Sequence, residues 1–418
     1  MNRLASSPLP TRRFVIATVM AALLAIPLAS SAQAGITRKF TANSTIKLSP
    51  GVIYKVGTMK TTGGRPQSVR IASVDADHPA VRFRAALSNR KVVRREVVRS
   101  IALTQSQPWL KPMVATNGDM SMRNRVDAYA APHSMAVSKG ELMVAQSCVR
   151  PTLGIDADGD VRIANVRADV SLKPPGKNYT VRVHRVNTHR DDGLVVLFTK
   201  RFASSTRTSG GREVVLDLQG KLRPNGSQKV RVVKVRNGGN TPLKWGQAVL
   251  SVKNPSQKWV YNLKVGQSFD LVTQVVRQVD KPCGGTIAAA GAWGEITEAQ
   301  GGNYFTLKSG KIAAPSKQKY PSGVQRHPRT GLGVTAEGRV LMVTVDGRRT
   351  ASKGVTLGEM GQLMKSLGAV HAFNLDGGGS TVMARYAPGT GKFVVANKPS
   401  DGKQRPATQA FAVYQVTP

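Results

Sequence analysis

The sequence predicts an α+β (mixed α/β) fold, strand-rich, with few helices and a mixed sheet. Three observations carry this. Short runs alternating apolar and polar residues recur along the chain, and Gly-, Asn- and Asp-bearing turns separate them. A segment near residue 360 carries helical periodicity instead. With 418 residues, 40% of them hydrophobic and 20% charged, the composition is that of a folded globular protein.

The first 34 residues read as a secretory signal peptide. Arg3, Arg12 and Arg13 precede the apolar run FVIATVMAALLAIPLA, and Ala32-Gln33-Ala34 supplies small residues before Gly35. The expected location is therefore secreted or envelope-associated, extracellular or periplasmic, with no transmembrane segment after cleavage. The formal charge of +38 falls by the leader's three arginines to +35. Such a bias favours adhesion to polyanions: an anionic envelope surface or phosphorylated, anionic glycans. No nucleic-acid module appears, so no specific nucleic-acid partner is expected. Cys148 and Cys283 are the two cysteines, and in an exported chain a disulfide between them is expected, with two buried thiols as the alternative.

Past the leader, residues 35–110 form an N-terminal strand-rich segment, including SVRIASVDA (68–76) and AVRFRAAL (80–87). Residues 111–418 form the larger region. It opens with KPMVATNGDM (111–120), a strand running into Asn117-Gly118-Asp119. Hairpins follow, with DADGD (156–160) as a plain turn, since it lacks the spacing and distal glutamate of a calcium loop. A strand-rich middle segment at about 167–280 contains YTVRVHRV, GLVVLFT, REVVLDL, KVRVVKV and WVYNL. The stretch 330–349 reads as strand, turn, strand, turn. Then Leu357, Met360, Met364 and Leu367 line one helix face, Thr356 with Glu359 makes a capping box, and Gly368 stops the helix. AVHAFNLD forms the strand that ends at Gly377-Gly378-Gly379.

Polar groups with chemistry collect at the strand ends. Asn374 and Asp376 fall on one side of their strand. The glycines Gly377, Gly378 and Gly379 offer backbone N–H groups for an anion, and Ser380 and Thr381 add hydroxyls. Asn117 and Asp119, then His327, Arg329 and Thr330, then Asp346 and Arg348 occupy comparable positions. Taken singly, each Asn-Gly or Asp-Gly also fits an ordinary turn. Together they are carboxylates, amides and arginines without a Cys/His cluster, a nucleophile elbow or a P-loop. That inventory suits cleavage of a sugar bond or a phosphate ester better than peptide hydrolysis.

The ordered motifs HPRTGLGVTAEGRVLMVTVDGRR, GVTLGEMGQLMKSLGAVHAFNLDGGGSTVMA and NKPSDGKQRP, within 327–406, resemble the phosphodiester glycosidase family. TNGDM is similar to the family's earlier Asn-Gly motif, and residues 185–216 are similar to its middle segment, with Glu213 at an acidic position. ATQAFAVY (407–414) and AAAGAWGEI (288–296) are looser versions of family segments. The resemblance implies an α/β catalytic domain over 111–418. It also implies a site drawn from Asn117, Asp119, Glu213, Arg329, Thr330, Asp346, Arg348, Asn374, Asp376, the three glycines and Ser380.

The expected activity is that of a phosphodiester glycosidase: an exported hydrolase that cleaves a sugar-1-phosphodiester between the anomeric carbon and phosphate in envelope or extracellular glycans. Asp376 or Glu213 would stabilise the anomeric cation or activate water, with Asp119 or Asp346 assisting. Asn117, His327, Arg329, Thr330, Arg348, Asn374, the glycines, Ser380 and Thr381 would bind substrate. No cofactor is required by the motifs; calcium has room where carboxylates converge, but no spacing demands it. The rival readings are a non-catalytic binder of anionic wall polymer and an ordinary glycoside hydrolase.

Overall fold

Alternation along the central strands sets the layers. In the computed structural model, whose described residues are 35–146, 148–253, 257–277, 293–294 and 296–417, strand Val340–Val345 is wholly buried. Its Val340 and Met342 join one hydrophobic cluster, whereas Leu341, Val343 and Val345 join another. A strand buried on both faces needs a cover on each side. On one side the cover is helix Leu357–Ser366, whose Met360, Leu363 and Met364 pack on Ile71, Leu341, Val343 and Ala372. On the other it is a five-stranded sheet, which brings Phe83, Val114, Phe411 and Val413 against Leu332, Met342 and Phe373.

The eight-stranded sheet between them is antiparallel throughout. It runs in the order Ile36–Ser49, Val52–Thr61, Pro66–Val74, Val340–Val345, Arg329–Thr335, Ala369–Asn374, Phe305–Lys308 and Lys311–Ile312. The five-stranded sheet, also antiparallel, runs Lys392–Val395, Met383–Ala387, Leu110–Asn117, Gln409–Val416 and Val81–Leu87. Its outer face carries Ala410, Ala412 and Tyr414 and is covered by Val98, Ile101 and Ala102 of helix Val98–Thr104. Helix, sheet, sheet and helix thus stack as four layers. Strands before residue 110 are shared out between both sheets.

The middle of the chain supplies most of a twelve-stranded sheet, mixed by one parallel pair, Arg185–Val186 with Val196–Leu197. Its largest core holds Leu142, Val170, Leu172, Leu197, Val214, Leu216, Leu250 and Leu271. Among the described residues three short α-helices stand against twenty-five strands, as the sequence patterns predict. No helix among them is long and apolar enough to cross a membrane.

One expectation needs correction. WVYNL (259–263) is not a strand: Lys258–Tyr261 forms one helical turn. Val260 and Leu263 are both buried; a spacing of three puts them on one face of a helical turn but on opposite faces of a strand. The disulfide expected between Cys148 and Cys283 falls partly outside the described residues, since Cys283 is not among them; no described cysteine is free. The leader at 1–34 and most of AAAGAWGEI also lie outside the described residues.

The helix before the glycine loop starts and stops where its sequence requires. Thr356 Oγ1 accepts from Glu359 N–H at 3.0 Å, and Glu359 Oε2 accepts from Thr356 N–H at 2.9 Å. Gly368, at φ +90°, ends it. Glu359 is also gripped by Arg326 at 2.6 Å, so the cap fixes the segment leading into strand Arg329–Thr335 as well. Replacing Thr356 by Ala should cost about 1 kcal/mol of unfolding free energy in a urea titration, with no loss of strand content by circular dichroism.

Candidate active site

Strand Leu110–Asn117 of one sheet and strand Ala369–Asn374 of the other converge at their carboxyl ends, and the side chain of Asn117 ties them together. Its Oδ1 accepts from Thr330 Oγ1 at 2.8 Å and from Val382 N–H at 3.1 Å. Its Nδ2 donates to the carbonyl oxygens of Asp376 at 2.8 Å and Gly118 at 3.2 Å. The amide of Asp376 in turn donates to the Gly118 carbonyl at 3.1 Å. Asn117 and Thr330 are thus spent in positioning Asp376.

The glycine loop is a short turn over Gly378–Ser380. Gly377 N–H donates to Asp376 Oδ1 at 2.9 Å, and Gly378 N–H donates to the Pro328 carbonyl at 2.9 Å. Two of the three donors expected to meet an anion are therefore used inside the protein. The glycines serve close approach instead. Gly378 has φ +61°, and a Cβ there would lie 3.0 Å from the Arg348 guanidinium; a Cβ on Gly379 would collide with Arg405 and Asp401. Arg348 is exposed above this loop, and Arg405 pairs with Asp401 at 2.6 Å.

Asp376 is half-buried and lines a cleft of about 660 Å³ together with Ser121, Arg123, Arg125, His133 and His189. Burial raises its pKa, opposed by the hydroxyl of Ser380, the charge of Arg123, the Gly377 amide and Arg405. Asp119 is buried just behind, next to the cleft-lining Met120. Its Oδ1 accepts from Met120 N–H at 2.7 Å, while its Oδ2 is buried without a hydrogen-bond partner. Burial pushes Asp119 up to about 7, and the Asp376 charge adds to the rise against Ser134, Arg150 and the Met120 amide. Burial, helped by Arg150, depresses His133; burial and Arg185 depress His189, whose Nε2 lies 3.2 Å from Asp191. Both imidazoles are therefore neutral near pH 7.

The remaining candidates sit apart from this cleft. Glu213, on strand Arg212–Asp217 of the twelve-stranded sheet, is fully buried. Its carboxylate accepts from Thr208 Oγ1 at 2.8 Å, Ser251 Oγ at 2.8 Å and Thr241 N–H at 2.9 Å. Burial alone would raise its pKa, but the hydrogen bonds from Thr241, Thr208 and Ser251 outweigh it and hold the group low. Asp346 pairs with Arg70 at 2.6 Å and accepts from Asn397 Nδ2 at 3.1 Å. The Arg329 guanidinium donates to the carbonyls of Ser322 at 2.6 Å, Gln325 at 3.1 Å and Val355 at 3.2 Å, which leaves it locking backbone. The Asn374 side-chain amide donates to the Leu375 carbonyl, and its Oδ1 is buried unpartnered. Ser380 reaches Asp376, Thr381 buries a hydroxyl without a partner, and His327 contacts Gln325 at 3.1 Å. Among the described residues no three His, Cys, Asp or Glu side chains gather closely enough to hold a metal ion.

Against known proteins, residues 225–414 match the phosphodiester glycosidase family. The chain resembles that family. The matched residues include Asp346 and the whole run from Asn374 to Thr381, but not Asn117, Asp119 or Glu213. An 88-residue segment is 38% identical to the SPbeta prophage-derived uncharacterized protein YomE of Bacillus subtilis, covering 21% of this chain and 13% of that protein's length. The crystal structure of a hypothetical protein from Synechocystis aligns with TM-score 0.70 at 16% identity, over 91% of this chain and 68% of the other. That of a putative exported protein from Burkholderia pseudomallei aligns with TM-score 0.63 at 19% identity, over 85% and 76%. These two likenesses show the fold.

Sequence reasoning missed Arg123, Arg125, His133 and His189. Only their closeness in sequence to TNGDM could have drawn attention to the first three.

Two outcomes test this difference between well-partnered and under-partnered carboxylates. Asp346→Ala leaves Arg70 buried and unpaired and should cost roughly 3–5 kcal/mol in denaturant unfolding. Asp119 is protonated in both folded and unfolded chains below the ordinary aspartate range. Above that range the unfolded carboxyl ionises while burial keeps the folded one protonated up to about 7, so stability falls as pH rises across that window and levels off beyond it. Asp119→Asn should therefore gain stability relative to wild type between pH 4 and 8, read by thermal unfolding; parallel curves would show that Asp119 is not perturbed.

Proposed function

We propose that the protein is an exported hydrolase that cleaves sugar-1-phosphodiesters in envelope or extracellular glycans, breaking the bond between the anomeric carbon and the phosphate oxygen. The observation that carries this reading is Asp376: a carboxylate at the head of a cleft rimmed by Arg123 and Arg125, with Asp119 behind it. The family resemblance supports the reaction class, and the leader-like N-terminus and net charge of +38 support export and an anionic substrate.

The leaving group is a phosphate monoester, a weak base, so its departure needs charge stabilisation more than a proton. Arg123, which lines the cleft and whose charge acts on Asp376, is placed to receive it. Asp376 opens to the cleft and is hydrogen-bonded in its charged form, whereas Asp119 is fully enclosed with one oxygen unpartnered. In this reading Asp376 carries the charge and Asp119 holds the proton. One negative charge then faces the anomeric carbon, where Asp376 stabilises oxocarbenium character or takes a proton from the attacking water. Neutral His133 and His189 supply hydrogen bonds to the sugar without adding charge.

Asp376→Asn should lower kcat/KM for release of free sugar from UDP-N-acetylglucosamine by roughly 10³-fold, with unfolding unchanged within about 1 kcal/mol. Undiminished turnover would remove Asp376 from the chemistry. Wild-type turnover should fall as pH rises above about 7, where Asp119 ionises and charge repulsion on Asp376 grows. Asp119→Asn should abolish that limb while keeping activity below it; a limb that persists in the variant would belong to another group.

A further inference from the structure

A second cleft, of about 530 Å³, shares no lining residue with the one at Asp376. Two chain segments pair to build it. Val92 N–H donates to the Arg201 carbonyl at 2.8 Å and Val93 N–H to the Phe202 carbonyl at 3.4 Å. Val92 and Phe202 are buried and anchor the pair in the core. Lys91 and Arg94 from one segment, and Lys200 and Arg207 from the other, are left to line the cleft, with Ser204 and Ser205 between them. No Asp or Glu lines it. None of the four cations is held in an ion pair among the described residues.

An aromatic residue stands beside these charges. Trp245 is 59% exposed, with Lys91 Nζ 5.4 Å and the Arg201 guanidinium 4.7 Å from its ring. Leu243 N–H donates to the Ser204 carbonyl at 2.8 Å, which fixes the Trp245 loop to the cleft wall. Lys91 is held by the Lys200 carbonyl, and burial with the charges of Lys200, Arg201 and Arg94 lowers it to about 8. Like charges gathered without carboxylates oppose folding, and an exposed indole adds apolar surface to water. A ligand that carries an anion beside an apolar ring face satisfies both.

We propose that this cleft is a second binding site, which takes a phosphate group of a phosphorylated glycan while Trp245 stacks on the adjoining sugar. Bidentate and charge-assisted hydrogen bonds from Arg94, Arg207, Lys91 and Lys200 would hold the phosphate. The proposal rests on the reading of the Asp376 cleft only for its substrate class, and it gives a polymer two points of attachment on one protein.

The test is calorimetric titration of the purified full chain with a phosphomannan, an unphosphorylated mannan and an oligothymidylate, at low and high salt. Wild type should bind the phosphomannan, more weakly at high salt, and should bind the plain mannan little. The double variant Lys91→Gln/Arg94→Gln and the single variant Trp245→Ala should each weaken binding about tenfold or more. Both should keep wild-type turnover of UDP-N-acetylglucosamine, and Asp376→Asn should keep wild-type phosphomannan affinity. Failure of wild type to bind, or double-variant affinity within about twofold of wild type, overturns the site. Loss of binding in Asp376→Asn overturns its independence from the first cleft. Equal affinity for plain mannan, or tighter binding of the oligothymidylate lost in the same variants, overturns the ligand class. A wild type that binds phosphomannan but hydrolyses nothing would sink the hydrolase reading and leave this one standing.

Discussion

One primary amide holds the site together. Asn117 uses both lone pairs of its oxygen and both hydrogens of its nitrogen, on Thr330, Val382, Gly118 and the carbonyl of Asp376. Thr330 belongs to the eight-stranded sheet, Gly118 and Val382 flank strands of the five-stranded sheet, and Asp376 leads into the glycine loop. A residue with only donors or only acceptors could not make that set. The position of Asp376 over the cleft is therefore set by sheet packing through Asn117, and the cores on either side, Phe373 with Phe411 and Met360 with Leu341, resist any shift of it.

Carboxylates in this protein differ in how fully their oxygens are met. Glu213, Asp346 and Glu359 each have their oxygens met by several donors or by an arginine. They hold loops in place. Asp119 and Asp376 are under-supplied by comparison, and burial raises both. A protein optimised only for stability would give Asp119 Oδ2 a partner or replace the residue. Keeping a carboxyl so close to neutrality is useful where a proton must be held beside a second carboxylate. The arginines follow the same division: Arg70, Arg326 and Arg329 are committed to protein partners, while Arg123 and Arg348 remain exposed beside the Asp376 cleft and the glycine loop.

The strands and the capped helix were legible in the sequence because their signals are local. Thr356, Glu359 and Gly368 announce both helix ends, and Leu110–Asn117 and Ala369–Asn374 end on the polar motifs that the sequence places there. What the sequence could not give was the partner of each polar group. Asp346 and Asp376 both precede glycines and look alike in text; only the fold puts Arg70, some 276 residues away, against Asp346. Glu213 matched an acidic position by resemblance, yet its three donors come from Thr208, Thr241 and Ser251. His189 enters the cleft through long-range packing of the twelve-stranded sheet, which no local pattern encodes. WVYNL is apolar enough for a strand, but the three-residue spacing of buried Val260 and Leu263 suits a helical turn.

The most direct test is the position of bond cleavage. With UDP-N-acetylglucosamine turned over in ¹⁸O-labelled water, attack at the anomeric carbon across from Asp376 places the label in the free sugar and leaves the released nucleotide diphosphate unlabelled. Label in the phosphate product instead would mean attack at phosphorus, and would contradict Asp376 as the group that faces the anomeric centre.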